Sequence, residues 1–262
     1  MNKSIVFFDY DGTLVDESEK IYRPTEATLN SIKKLRENGH LAILATGRAK
    51  CYVPRTGIEW DGYITSNGAH AELNGVSVFD KLVPDELVQK LVDKSNEYGY
   101  MYVLENQDEC YTNGFDNQHF IDTLNFFDIP REHFKRVSEA KKLRAYKMFL
   151  TFDNMETFEA IKREFDGEFI MGKHRTNMSC DVDTAGNNKG MSIGKIAEAA
   201  GIGIKDTYAF GDSINDFGMM KAVGTGIAMG SHIEGLENLC EFVTETVKNE
   251  GITKGLERAG LI

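Results

Sequence analysis

Ile5-Val6-Phe7-Phe8-Asp9-Tyr10-Asp11-Gly12-Thr13 carries a continuously apolar run into two carboxylates and a glycine. A strand covered on one face alternates apolar and polar residues. One that is apolar at every position is covered on both faces, as inside a parallel sheet. The carboxylates then stand at the strand's carboxyl end, where open α/β sheets bind ligands. Asp9 and Asp11 are two apart, so on an extended chain their side chains point the same way. Two like charges held that close repel, unless a cation lies between them or their pKa values separate. The pair reads as a metal site, or as a nucleophile with an acid/base. Asp11-Gly12 also fits an ordinary turn, so the rest of the chain decides.

Working outward, Thr25 is an N-cap for a helix whose apolar face is Leu29, Ile32 and Leu35 and which Gly39 stops. Leu41–Ala45 is a second buried strand, ending in Thr46-Gly47-Arg48. Strand, helix, strand predicts a parallel sheet. Tyr63–Thr65 is a short third strand ending in Ser66-Asn67-Gly68, and Asn74-Gly75 joins a hairpin. From about Asp80 the texture changes to helix, strand, strand, helix, strand, helix, strand. Strand–helix units then resume: a helix from Lys189 to Ala200, and the strand Thr207–Phe210 leading into Gly211-Asp212-Ser213-Ile214-Asn215-Asp216. The pattern predicts a core of residues 1–80 and 184–262 interrupted by an α+β unit, 81–183.

The chain has 262 residues, enough for one large domain or two smaller ones. Its net charge of −11 argues against nucleic acid or an anionic membrane as partner. The N-terminal apolar run, cut by Asp9, is neither a signal peptide nor a span. Cys51, Cys110, Cys180 and Cys240 form no Cys-x-x-Cys pair, and they read as reduced thiols of a cytoplasmic protein.

Four polar clusters fall at strand ends or at a helix start: Asp9/Asp11, Thr46, Lys189 and Asp212/Asn215/Asp216. In a parallel sheet these ends share one edge, so residues far apart in sequence can converge. Three carboxylates and a main-chain carbonyl make a hard oxygen site suited to Mg2+. A threonine hydroxyl and a lysine ammonium can hold phosphate oxygens. One carboxylate left facing phosphorus can act as nucleophile. The set matches phosphoryl transfer.

Asp9-Tyr10-Asp11-Gly12-Thr13, Thr46-Gly47-Arg48, Lys189-Gly190 and Gly211-Asp212-Ser213-Ile214-Asn215-Asp216 resemble the four motifs of haloacid dehalogenase superfamily phosphatases. The insertion is similar to the class IIB cap of the Cof-type subfamily. The resemblance implies an α/β fold with a Rossmann-like parallel-sheet core and an inserted α+β cap. It implies Asp9 as nucleophile and Asp11 as acid/base. Thr46, Gly47, Lys189 and Asn215 would hold phosphate, and Asp9, the Asp11 carbonyl and Asp212 would hold Mg2+. Asp216 would position these groups from behind. In the cap, His119 and Arg175 are candidates for substrate contact, alongside the loop Asn113–Asp116, Lys173 and His174; Arg48 and Arg55 are further candidates.

The expected function is hydrolysis of small phosphorylated metabolites, sugar phosphates or phosphorylated cofactors, by a monomer or small homo-oligomer. Two alternatives stay open: a phosphomutase, and a regulator that binds a phospho-ligand without turnover. The Asp9/Asp11 pair counts against the regulator, which has no use for an acid/base.

Overall fold

A computed structural model describes residues 3–126, 128–174 and 177–262. The chain enters through β1 (Ile5–Phe8), buried at all four positions. Thr25 accepts from the Thr28 amide and caps α1 (Glu26–Glu37), and Gly39 at φ 91° leads out of it. β2 (Leu41–Ala45) and β3 (Gly62–Thr65) follow. Asn74 and Gly75, both left-handed, join β4 (His70–Leu73) to β5 (Val76–Asp80).

Next come α2 (Asp85–Tyr98), β6 (Met101–Glu105), β7 (Cys110–Thr112), α3 (Gln118–Phe126), β8 (Phe134–Arg136), β9 (Lys147–Thr151), α4 (Met155–Glu164), β10 (Phe169–Lys173) and β11 (Ser179–Thr184). Lys189–Ser192 form a tight 3-10 turn, from which α5 (Ile193–Ala200) runs to Gly201. The helix expected from Lys189 therefore starts as 3-10. β12 (Thr207–Gly211), α6 (Phe217–Ala222), β13 (Thr225–Ala228), β14 (Phe242–Val243) and α7 (Gly251–Arg258) complete the chain.

Two units result. The first comprises the residues up to Gly47, Arg55–Asp80 and Asn188–Ile262. Its eight-stranded sheet runs β14-β13-β12-β1-β2-β3-β4-β5, parallel from β14 to β3 and antiparallel through β4 and β5. Ile5 and Phe7 of β1 join Ile43, Ile64 and Ala209 against Ile193 and Ile196 of α5 and Met219 and Met220 of α6. Phe8 points to the other face and stacks on Phe210 with centroids 5.4 Å apart. There α7 comes close: a Cβ at Gly255 would lie 2.4 Å from the Phe210 ring. Both faces of β1 are thus covered, which is why it carries no polar residue until Asp9.

The second unit comprises Arg48–Pro54 and Lys81–Asn187. Its six-stranded sheet, β10-β11-β9-β6-β7-β8, is antiparallel except between β7 and β8. One face packs Tyr102, Leu104, Met148 and Leu150 against Val88, Leu91, Phe158 and Ile161 of α2 and α4. The alternate residues Met101, Val103 and Phe149 pack with Phe120 and Leu124 of α3 and with Ala49 and Tyr52. β8 and β10 are strands the sequence pattern does not predict. Both are edges with largely exposed or half-exposed residues, so neither carries the apolar run that marks a buried strand. The four cysteines are free, and no described helix is long and apolar enough to cross a membrane.

Candidate active site

The site grows from the end of β1. The Asp9 amide donates to the Phe210 carbonyl at 3.0 Å, extending the β1–β12 ladder by one residue and fixing the nucleophile candidate's backbone. The chain then turns, with the amides of Leu14 and Val15 both donating to Tyr10 O. Gly12 takes φ +85°, and a Cβ there would lie 2.2 Å from Asp212 Oδ2. Glycine is needed for both the left-handed backbone and the close approach. Thr13 donates its hydroxyl to Asp212 Oδ1 at 3.0 Å, so the first loop orients a carboxylate 199 residues away.

Lys189 joins two of the clusters. Its Nζ donates to Asp9 Oδ1 at 2.5 Å and to Asp216 Oδ1 at 2.7 Å, and the lysine is fully buried. Asp216 uses its other oxygen, Oδ2, to accept from the amides of Asp212 (2.9 Å) and Ser213 (3.0 Å). Asn188 caps the 3-10 turn that carries Lys189, accepting from Gly190 N at 2.9 Å. Gly190 and Gly218 are needed where that turn meets α6: a Cβ at Gly190 would sit 2.2 Å from Gly218 O.

Thr46 is buried, and its amide donates to Ile64 O at 2.8 Å. Asn215 Nδ2 donates to Asn67 Oδ1 at 3.2 Å. A Cβ at Gly47 would lie 2.8 Å from that same Asn67 oxygen and 3.5 Å from Asn215 Nδ2, so Gly47 and Asn215 are neighbours. Asp9, Thr46, Gly47, Lys189, Asp212, Asn215 and Asp216 therefore all sit at the carboxyl edge of one sheet. Asp11 is half-buried in the turn, paired through its backbone with Val15. The sequence reading missed the roles of Thr13 and Asn67. Asn67 was visible as a strand-end Asn-Gly, but no spacing rule ties it to Asn215.

Charge is unevenly matched here. Burial pushes the Asp9 carboxyl well above its ordinary pKa, with Asp216 and Asp212 adding to it and Lys189 opposing. Burial, then Asp216, pushes Asp212 up to about 8 against the pull of Thr13 and Lys189. Burial works against the Lys189 charge, but Asp216 and Asp9 outweigh it and hold its pKa above the usual lysine value. Asp9, Asp212 and Asp216 each offer an oxygen within 4.8 Å of the others. Hard oxygens at that spacing fit Mg2+, whose charge would offset their repulsion. Asp216 is already engaged through both oxygens, which leaves Asp9 and Asp212 as the better ligands.

The second unit holds the remaining candidates except Arg55, which belongs to the first. His119 is exposed on α3, and Arg175 lies outside the described residues. Several neighbours are engaged locally. Asp116 pairs with Arg131 and Arg136, which both lie over the Phe115 ring. Asn113 accepts from the Tyr102 amide. Lys173 donates to the His174 carbonyl, and His174 stacks on Phe149 and shares a hydrogen bond with Ser179. Arg48 is buried and Arg55 exposed.

The family model for haloacid dehalogenase-like hydrolases matches residues 6–256. The chain is 28% identical to YkrA of Bacillus subtilis across the full length of both. It is 25% identical to the 5-amino-6-(5-phospho-D-ribitylamino)uracil phosphatase YitU of the same organism, covering 97% of this chain and 96% of that one. Among solved structures it superposes on the class IIB sugar phosphatase BT4131 with a TM-score of 0.81 at 25% identity, covering 99% of this chain and 100% of the other. The first unit is the core and the second the class IIB cap of that architecture. The chain belongs to the haloacid dehalogenase-like hydrolases and is a phosphoric monoester hydrolase of that family.

Proposed function

We propose that this protein is a Mg2+-dependent phosphatase that hydrolyses small phosphorylated metabolites through a phosphoryl group carried on Asp9. The observation that carries this reading is Lys189, buried and bonded to both Asp9 and Asp216, which keeps an ammonium against the attacking carboxylate. Asp9 attacks phosphorus and the bond to the leaving oxygen breaks, with Asp11 giving that oxygen its proton. Asp11 then takes a proton from the water that attacks the phosphoryl-Asp9, releasing phosphate and restoring the carboxylate. Thr46, Gly47, Lys189 and Asn215 supply donors for the phosphoryl oxygens. Asp9, Asp212 and the Asp11 carbonyl would hold Mg2+, which would supply charge neutralisation at the transferring group. Asp216 holds Lys189 in place and fixes the loop that carries Asp212.

The substrate class is sugar phosphates or phosphorylated cofactors, in keeping with relatives named for a phosphoribityl compound and for sugar phosphates. His119 and Arg175 are the cap residues we assign to leaving-group contact. The four free cysteines accord with action in the reducing cytoplasm. The test is phosphate release from a panel of phosphorylated metabolites, in Mg2+ and in excess chelator. Release in Mg2+ that stops in chelator supports the proposal. Release unchanged by chelator removes the metal, and no release from any member removes the phosphatase.

A further inference from the structure

We propose that Asn67 is a positioning residue that locks Thr46 and Asn215 at a fixed spacing. Three consecutive residues at the end of β3 are left-handed: Ser66 (φ 50°), Asn67 (φ 51°) and Gly68 (φ 93°). L-residues adopt this conformation at a cost, and such strain persists where the surroundings over-determine it, often at functional sites. Here the turn is braced on three sides. The Asn67 amide donates to Thr46 O at 3.3 Å. Asn67 Oδ1 accepts from Asn215 Nδ2 at 3.2 Å. Gly68 is overlain by the Lys189 turn, where a Cβ would sit 2.2 Å from Asn188 O. Asn67 itself is buried.

The turn therefore touches three of the loops that carry donors, and one residue bonds two of them directly. Its backbone sets where Thr46 stands, and its side chain holds the Asn215 amide. Asn215 Oδ1 in turn accepts from Ser213 Oγ at 2.8 Å, so the carboxamide is held at both ends and cannot rotate without breaking a bond. A donor held in advance costs no reorganisation when charge develops on the phosphoryl group. Of the common residues, asparagine suits this place: it tolerates the left-handed backbone and offers an uncharged acceptor beside an anion site.

This inference rests on the proposed phosphate-binding roles of Thr46 and Asn215. The test is a cycle of wild type, Asn67→Gly, Asn215→Ala and the double variant, read as kcat/KM with Mg2+ and as the Kd for inorganic phosphate. Glycine keeps the left-handed backbone while deleting the carboxamide. Asn67→Gly is expected to weaken both about tenfold. The double variant should lose little beyond Asn215→Ala, since the first change already releases the second residue. Asn67→Asp retains an acceptor, so Asn215→Ala should still exact its full factor in that background. Wild-type values in Asn67→Gly, or losses that multiply in the double variant, overturn the positioning role while leaving the phosphatase intact. A wild type that releases no phosphate overturns the proposed function, and this inference with it.

Discussion

Lys189 donates to Asp216 Oδ1 at 2.7 Å, and neither side chain has any exposed surface. A buried pair of this kind adds little over an apolar replacement, but removing Asp216 would leave Lys189 with Asp9 as its one carboxylate partner. Asp216→Ala also deprives the Asp212 and Ser213 amides of their acceptor. Through those two amides and the lost partner of Lys189, it is expected to lower unfolding stability by about 2–4 kcal/mol in urea titration. Asp216→Asn, which keeps an oxygen for the amides, should lose less. A loss below about 1 kcal/mol in the alanine variant, the range of an exposed pair, would show that Asp216 is not needed to hold Lys189 or the loop.

The first loop sets the Asp212 carboxylate. Gly12→Ala must both adopt φ +85° and displace that carboxylate, so activity should fall by about 100-fold, the scale of a misplacement near 1 Å. Thr13→Val keeps shape but removes the donor to Asp212 Oδ1, with an expected loss of about 1–2 kcal/mol. In both variants the Mg2+ concentration giving half-maximal rate should rise. An unchanged Mg2+ dependence would separate this loop from the metal.

Asp11 as acid/base predicts a loss that depends on the leaving group. Asp11→Asn should cost about 10²–10⁴-fold with an alkyl phosphate. In kcat/KM the loss should be smaller with an aryl phosphate, whose leaving oxygen needs no proton. Equal losses for the two substrates would place the proton elsewhere.

In the cap, buried Lys147 donates to Asp181 at 2.7 Å and lies 3.7 Å from Glu105. Burial works against the Asp181 carboxylate, but Lys147 and His174 outweigh it and hold its pKa below the usual range. The folded pKa is depressed, so the contribution is present above the unfolded value of about 4 and is lost as pH falls below it. Asp181→Asn should flatten the decline in unfolding stability between about pH 4 and 2. An identical acid limb in the variant would mean that the pair contributes nothing.

Much of the core was legible because its signals are local. Ile5–Phe8 is apolar at every position, Thr25 stands one residue before α1, and Asn74-Gly75 forces a hairpin. The convergence of Asp9, Thr46, Lys189 and Asp212 followed from one rule, that parallel strands end on one edge. What was hidden depends on approach between distant loops. No pattern in Ser66-Asn67-Gly68 announces three left-handed residues or a bond to Asn215, 148 positions on. The strands β8 and β10 escaped because edge strands carry charged or exposed residues. In the cap, sequence shows only that polar side chains are present. The structure shows Asp116, Lys173 and His174 engaged with local partners.

The most direct test is the steady-state rate of phosphate release by Asp9→Asn, with its fold checked by thermal unfolding. The substitution keeps the size of the side chain and removes the attacking oxygen's charge. With Asp9 as nucleophile, the variant should fold and its turnover should fall to the uncatalysed background on every substrate the wild type cleaves. A folded Asp9→Asn protein that releases phosphate within about tenfold of wild type would contradict Asp9 as nucleophile, and the mechanism built on it.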